Sequence, residues 1–90
     1  MNYVETVMAK SALERAIEIK GGQTPLAAAC GITQPYVWNW LNRDGRVPAE
    51  YALSVCRAVD FGVRPHDLRP DIYPNPNDCV PDQYRSANAA

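Results

Sequence analysis

The chain is predicted to be all-α: four to five compact helices built on a helix-turn-helix, with an extended proline-rich C-terminal tail. Three observations carry this. The stretch Gln23 to Asn42, QTPLAAACGITQPYVWNWLN, places apolar residues at Leu26, Cys30, Ile32, Val37 and Trp40, a small residue at Ala27 and a glycine at Gly31. Helical periodicity and helix-end signals recur on both sides of it. No alternating strand pattern and no internal repeat interrupts them. In the central stretch each place has a steric reason. Two helices crossing at about 90–120° over a tight turn come closest early in the first, where only a side chain as small as Ala27 fits. The turn needs positive φ, which Gly31 adopts at no steric cost.

The elements follow in order. Ser11-Ala-Leu-Glu14 has the S-x-x-E capping-box pattern and marks the clearest start of the first helix. Leu13, Ala16 and Ile17 form its apolar face, and Gly21-Gly22 ends it. Val4, Val7 and Met8, at i, i+3 and i+4, suggest further helix in front, over Tyr3 to Lys10. Thr24 reads as the N-cap of a second helix, with Pro25 at its first position. That helix ends at Gly31. Thr33 caps a third helix with Pro35 in its first turn, running to about Asn42. Arg43 to Arg46 read as a loop. Pro48 opens a fourth helix, with Ala49, Ala52, Leu53, Cys56 and Val59 on one face and Gly62 at its close. Pro65 to Leu68 suit one more helical turn. From Pro70 onward prolines alternate with Asn and Asp, a composition that buries too little apolar surface to fold alone. This divides the chain into a helix-turn-helix domain, 1–70, and a tail, 71–90. The tail is either disordered or an arm docking Ile72 and Tyr73 against the body or a partner.

Ninety residues suffice for one hydrophobic core. No stretch approaches the roughly 18–20 apolar residues that span a bilayer, and MNYVETVMAK lacks the long apolar run of a signal peptide. A cytoplasmic, nucleoid-associated protein without a membrane partner is the expectation. Three widely spaced cysteines fit neither a disulfide framework nor a metal knuckle. Cys30 and Cys56 sit at apolar helix positions and read as small buried hydrophobes. The lone His66 has no partner at ligand spacing, so no metal is expected. No cofactor or small-molecule substrate is expected either. There is no nucleophile–base pair and no phosphate-cradling glycine loop, which argues against an enzyme.

The net charge of −1 argues mildly against a nucleic-acid partner. The distribution softens this, because no acid occurs between Glu18 and Asp44. Local potential is what a phosphate surface feels, since charges beyond roughly 8–10 Å are screened.

If Val37, Trp40 and Leu41 face the core, the 3.6-residue period decides what faces out. Gln34 and Trp38 form one outward stripe. Pro35, Asn39 and Asn42 form the next. Gln34 and Asn39 can bond adenine N6 and N7 bidentately, and the methyl of Thr33 can touch a thymine methyl. The alternative for both amides is an ordinary solvated helix face. Trp38 has three readings: packing on deoxyribose or a thymine methyl, seating in a protein interface, or burial by rotation of the helix. Phosphate contacts are expected from Gln23 and Thr24 at a helix N-terminus. Asn42, Arg43 and Arg46 are expected to supply more from the far end. The alternative for Arg43 is a surface pair with Asp44.

With these residues in view, ALERAIEIKGGQTPLAAACGITQPYVWNWL, then GRVPAEYALSV and RPHDLRPDIYP, resembles the YdaS-like proteins. These are Cro-type helix-turn-helix regulators encoded in prophages. The resemblance covers about residues 11–74. It implies a lambda-repressor-like fold and binding to operator DNA near the regulator's own promoter. Members are often labelled antitoxins, which implies a partner toxin. By the Cro-type pattern Thr33, Gln34, Pro35, Trp38 and Asn39 occupy base-facing places and Gln23 a phosphate-contacting one. Pro35 and Trp38 depart from that pattern, since neither makes a bidentate base contact.

Two functions follow as expectations. The first is a sequence-specific repressor that binds operator DNA in the major groove through residues 33–42. It would act as a homodimer, because one reading helix buries too little for high affinity. The alternative is an antitoxin-type module that sequesters a partner protein, which the low net charge and Trp38 favour.

Overall fold

In a computed structural model the described residues are 3–84. Five helices occur among them: α1 (Tyr3–Lys20), α2 (Gln23–Ala29), α3 (Gln34–Asn39), α4 (Ala49–Ala58) and α5 (Pro65–Leu68). There is no strand among the described residues. Ala12, Leu13, Ala16, Leu26, Ala27, Val37, Trp40, Val47, Val55, Cys56, Val59, Val63 and Leu68 form one buried cluster drawn from every helix and from the segments before and after α4.

Ser11 does not start a helix. It lies in the middle of α1, which runs unbroken for 18 residues. No breaker separates Lys10 from Ser11, so the Val4–Met8 pattern and the Leu13–Ile17 pattern join in one rod. Its first turns leave Tyr3, Val4, Val7 and Met8 exposed, while Ala9, Ala12, Leu13 and Ala16 are buried. Gly21-Gly22 ends α1, with both N–H groups donating to the Ile17 carbonyl.

α2 starts two residues earlier than Thr24 implied. Its N-cap is Gly22, at φ 138°, and Pro25 is its third residue rather than its first. Pro25 still sits where a helix has no N–H to satisfy. Gly31 closes α2 in the left-handed region, at φ 73°. The Ile32 N–H donates to Ala27 O and the Gly31 N–H to Ala28 O, a Schellman end. This turn delivers the chain into α3, with Ala27 buried where α2 and α3 meet.

α3 begins after Thr33, which is extended and makes no side-chain capping bond. The helix does not stop at a loop. It continues into a π turn, Trp40–Asp44, closed at Gly45. Arg43 and Asp44 therefore belong to the helix rather than to the expected loop. The π turn carries one extra residue per turn. It keeps Trp40, 2% exposed, on the core. There its ring lies 5.3 Å from that of Tyr51 on α4.

Pro48 is the N-cap of α4, whose buried face is Ala52, Val55 and Cys56, continued by Val59. The expected face is rotated: Ala49 is exposed and Leu53 half-buried. Gly62 does not close α4. Asp60 and Phe61 do, both with positive φ, and the Phe61 N–H donates to Cys56 O. α5 forms as expected, with the Asp67 carboxylate accepting from the Arg64 N–H at 3.1 Å.

Residues 70–84 run back along the body as turns. Ile72 is exposed and Tyr73 half-buried. The docking residue is Val80, 2% exposed. Arg64 donates to Asn77 Oδ1, the Tyr73 carbonyl lies 2.9 Å from His66 Nδ1, and Tyr84 stacks on Phe61. The end of the expected tail, 85–90, lies outside the described residues.

All three cysteines are free: Cys56 is buried, Cys30 half-buried and Cys79 exposed. Burial pushes both inner thiols up, Cys56 to about 12. No group of three or more His, Cys, Asp or Glu among the described residues could hold a metal ion. No helix there is long and apolar enough to cross a membrane.

Candidate nucleic-acid interface

The outward face of α3 follows from what it buries. Val37 is fully buried. Pro35 and Asn39 lie roughly opposite on the helical period, and Trp38 lies about 100° round from Val37. Pro35 is exposed, Asn39 half-buried and Trp38 half-exposed, at 50%. Rotation of the helix to bury Trp38 is thus excluded. Thr33 is exposed at the head of α3.

Gln34 and Gln23 come together. The Gln34 Nε2 donates to Gln23 Oε1 at 2.6 Å, joining the first residue of α3 to the first residue of α2. The bond spans the whole turn and leaves chemistry unspent. Gln34 keeps its Oε1 and a second N–H, an acceptor beside a donor, which matches adenine N6 and N7. Gln23 keeps its NH2 group, a donor suited to a phosphate oxygen. Its neighbour Thr24 is exposed.

The far end of the helix divides the remaining residues. The Asn42 amide donates to the Trp38 carbonyl at 3.0 Å, so it holds the backbone at the start of the π turn. Arg43 Nε lies 3.3 Å from Asp44 Oδ1, with the Arg43 side chain 70% and the Asp44 side chain 38% exposed. This is the surface pair weighed as the alternative for Arg43, and such a pair is worth little. Arg46 is half-buried and lines an open cleft with Asp44, Pro48, Ala49 and Arg69.

Two residues escaped the sequence reading. Tyr36 is 51% exposed on α3. The helical period would have placed it off the buried side of Val37. Arg69, only 9% exposed, lines the same cleft as Arg46. Its Nη1 donates to Val47 O at 3.1 Å, and Nε and Nη2 grip both oxygens of Asp71 at 3.0 and 2.9 Å. The hydrogen bonds from Arg69 hold the Asp71 carboxyl below the usual range. Nothing local in the sequence marks this contact, because Val47 and Arg69 are far apart in the chain.

A seven-residue helix, a Schellman turn and a second helix with an acid-free polar face define a small all-α helix-turn-helix domain. Residues 13–77 match the family model described as "Bacterial toxin YdaS". The chain belongs to the YdaS family. It is 34% identical over 59 residues to a protein of Escherichia coli (strain K12) named "Putative transcriptional regulator YdaS". The match covers 66% of this chain and 60% of that relative's length. No solved structure matches the chain.

Proposed function

We propose that the chain is a sequence-specific DNA-binding transcriptional regulator, a Cro-type repressor acting on operator DNA in the cytoplasm. The observation that carries this is the Gln23–Gln34 hydrogen bond. It couples a phosphate-facing amide to a base-facing amide across the turn, so the backbone contact sets the register in which the base is read. Gln34 and Asn39 read base edges, and Thr33, Pro35 and Trp38 complete the reading face. Gln23, Thr24, Asn42, Arg43 and Arg46 face phosphates. Asn42 and Arg43 contribute least, since each already has a partner within the chain. Two copies on half-sites one helical turn apart supply the affinity that one helix lacks. The relative's name supports the regulatory role.

The experiment is a salt titration of binding to DNA flanking the gene, with a footprint on the same fragment. The logarithm of the binding constant should fall with the logarithm of salt, by about 0.9 for each phosphate contact. Paired protected half-sites should appear. A flat salt response, or no binding to that DNA, overturns the proposal.

A second reading is an antitoxin-type module that sequesters a partner toxin. It is favoured by Tyr36 and Trp38, two half-exposed aromatics on one short helix. Aromatic side chains are enriched at protein interfaces. On that reading Tyr36→Ala and Trp38→Ala abolish partner capture while Arg46→Ala does not.

A further inference from the structure

Trp38 is the part of the reading face that amide chemistry does not explain. It lies one turn after Gln34, about 6 Å along the helix axis. That is close to two base-pair steps of about 3.4 Å each. Pro35, three residues before it, is exposed and brings no side-chain donor or acceptor. The backbone under Trp38 is held by the Asn42 amide at 3.0 Å. The result is an apolar block, Pro35 and Trp38, on a fixed main chain and flanked by the amides of Gln34 and Asn39.

The floor of the major groove offers one apolar group, the C5-methyl of thymine. Apart from the small C5–H of cytosine, the other groups there are hydrogen-bond donors or acceptors. An indole face laid over one of them would strip its water without replacing the bond. Over a thymine methyl it loses nothing and removes apolar surface from water on both sides.

We propose that Trp38 is a specificity-determining residue that packs on the C5-methyl of a thymine one or two base pairs from the base read by Gln34. This rests on the DNA-binding reading above and adds a ligand group to it. The operator half-site then contains an A·T pair chosen by methyl contact, beside the pair chosen by hydrogen bonds.

The test uses the full chain and a duplex selected from random sequence for tight binding. Each thymine of that duplex is replaced singly by deoxyuridine, which removes only the methyl. One position per half-site should weaken wild-type binding about three- to tenfold. The same replacement should leave binding by Trp38→Ala and by Trp38→Gln unchanged. Two results overturn the proposal. Either no single deoxyuridine weakens wild-type binding by more than about twofold, or the sensitive position stays equally sensitive in both variants. Trp38 is half-exposed, so both variants should fold. If no duplex is selected at all, the DNA-binding reading falls and this proposal falls with it. A selected duplex without methyl dependence sinks this proposal alone.

Discussion

Replacing Arg69 by methionine tests how the segment after α5 is tied to the loop before α4. Methionine keeps the aliphatic stem and removes only the guanidinium. Three hydrogen bonds disappear, and they are unequal. The Val47 carbonyl belongs to a fully buried residue. Leaving it without a donor costs about 1–3 kcal/mol. The Asp71 side chain is 29% exposed and rehydrates, so losing the fork costs only about 1 kcal/mol. Together these give a loss of roughly 2–4 kcal/mol. For a domain of this size that lowers the melting temperature by roughly 10–30 °C. The assay is thermal or urea unfolding followed by circular dichroism. Asp71→Asn is the control and should cost no more than about 1 kcal/mol. The pH dependence adds a third arm. Because the folded Asp71 carboxyl lies below its ordinary value, its contribution is present above about pH 4. It is lost as pH falls through the lower folded value. Arg69→Met should therefore flatten the acid side of the stability profile. A melting temperature for Arg69→Met within a few degrees of wild type would refute the reasoning. Equal losses in Arg69→Met and Asp71→Asn would show that the Val47 carbonyl plays no part.

Other outcomes follow from single contacts. A double-mutant cycle on operator binding with Gln23→Ala and Gln34→Ala should give a coupling of about 0.5–1.5 kcal/mol; additive losses would mean the two amides act separately. Gln34→Ala and Asn39→Ala should each relax discrimination by about 1–3 kcal/mol, whereas Arg46→Ala should weaken all sequences alike and lower the salt slope by about one. Gly31→Ala meets no atom within 4 Å, so unfolding should show only the left-handed backbone strain, about 1 kcal/mol. In the native protein at neutral pH an alkylating reagent should label Cys79 first and Cys56 only on unfolding. The Cys56 thiol is raised from 9.0 to about 12. This thiol's contribution to stability should therefore fall as pH rises from about 9 toward 12, and Cys56→Ala should make the alkaline loss shallower.

The legible parts of the chain were those with a local cause. Ala27, Gly31 and Val37 announce the turn because each answers a steric demand a few residues wide. The ends of helices were read less well, since two residues can each serve and tertiary context chooses. Ser11-x-x-Glu14 is a good capping box, yet nothing breaks the helix before it. Thr24 is a good cap, but Gly22 could adopt a backbone that let α2 begin earlier. The π turn at Trp40–Asp44 leaves no compositional mark. In the site, Gln23 and Gln34 were each legible from helical position. Their hydrogen bond was not, because it depends on how α2 and α3 are set across the turn. Val80 sits in a polar, proline-rich stretch whose composition hides one apolar anchor.

The bond between Gln23 and Gln34 also bears on how binding preference can change. The Gln34 hydrogen given to Gln23 fixes the direction of the other, which the proposed reading aims at a base. A substitution at residue 34 that kept its length but lost that donor would swing freely, and its base preference would blur. A substitution at residue 23 that withdrew the acceptor would retune residue 34 without touching a base. On the proposed DNA-binding reading, moving this protein cleanly to a new operator takes paired changes on the two sides of the turn. The second site of that pair lies on a helix that need not enter the groove.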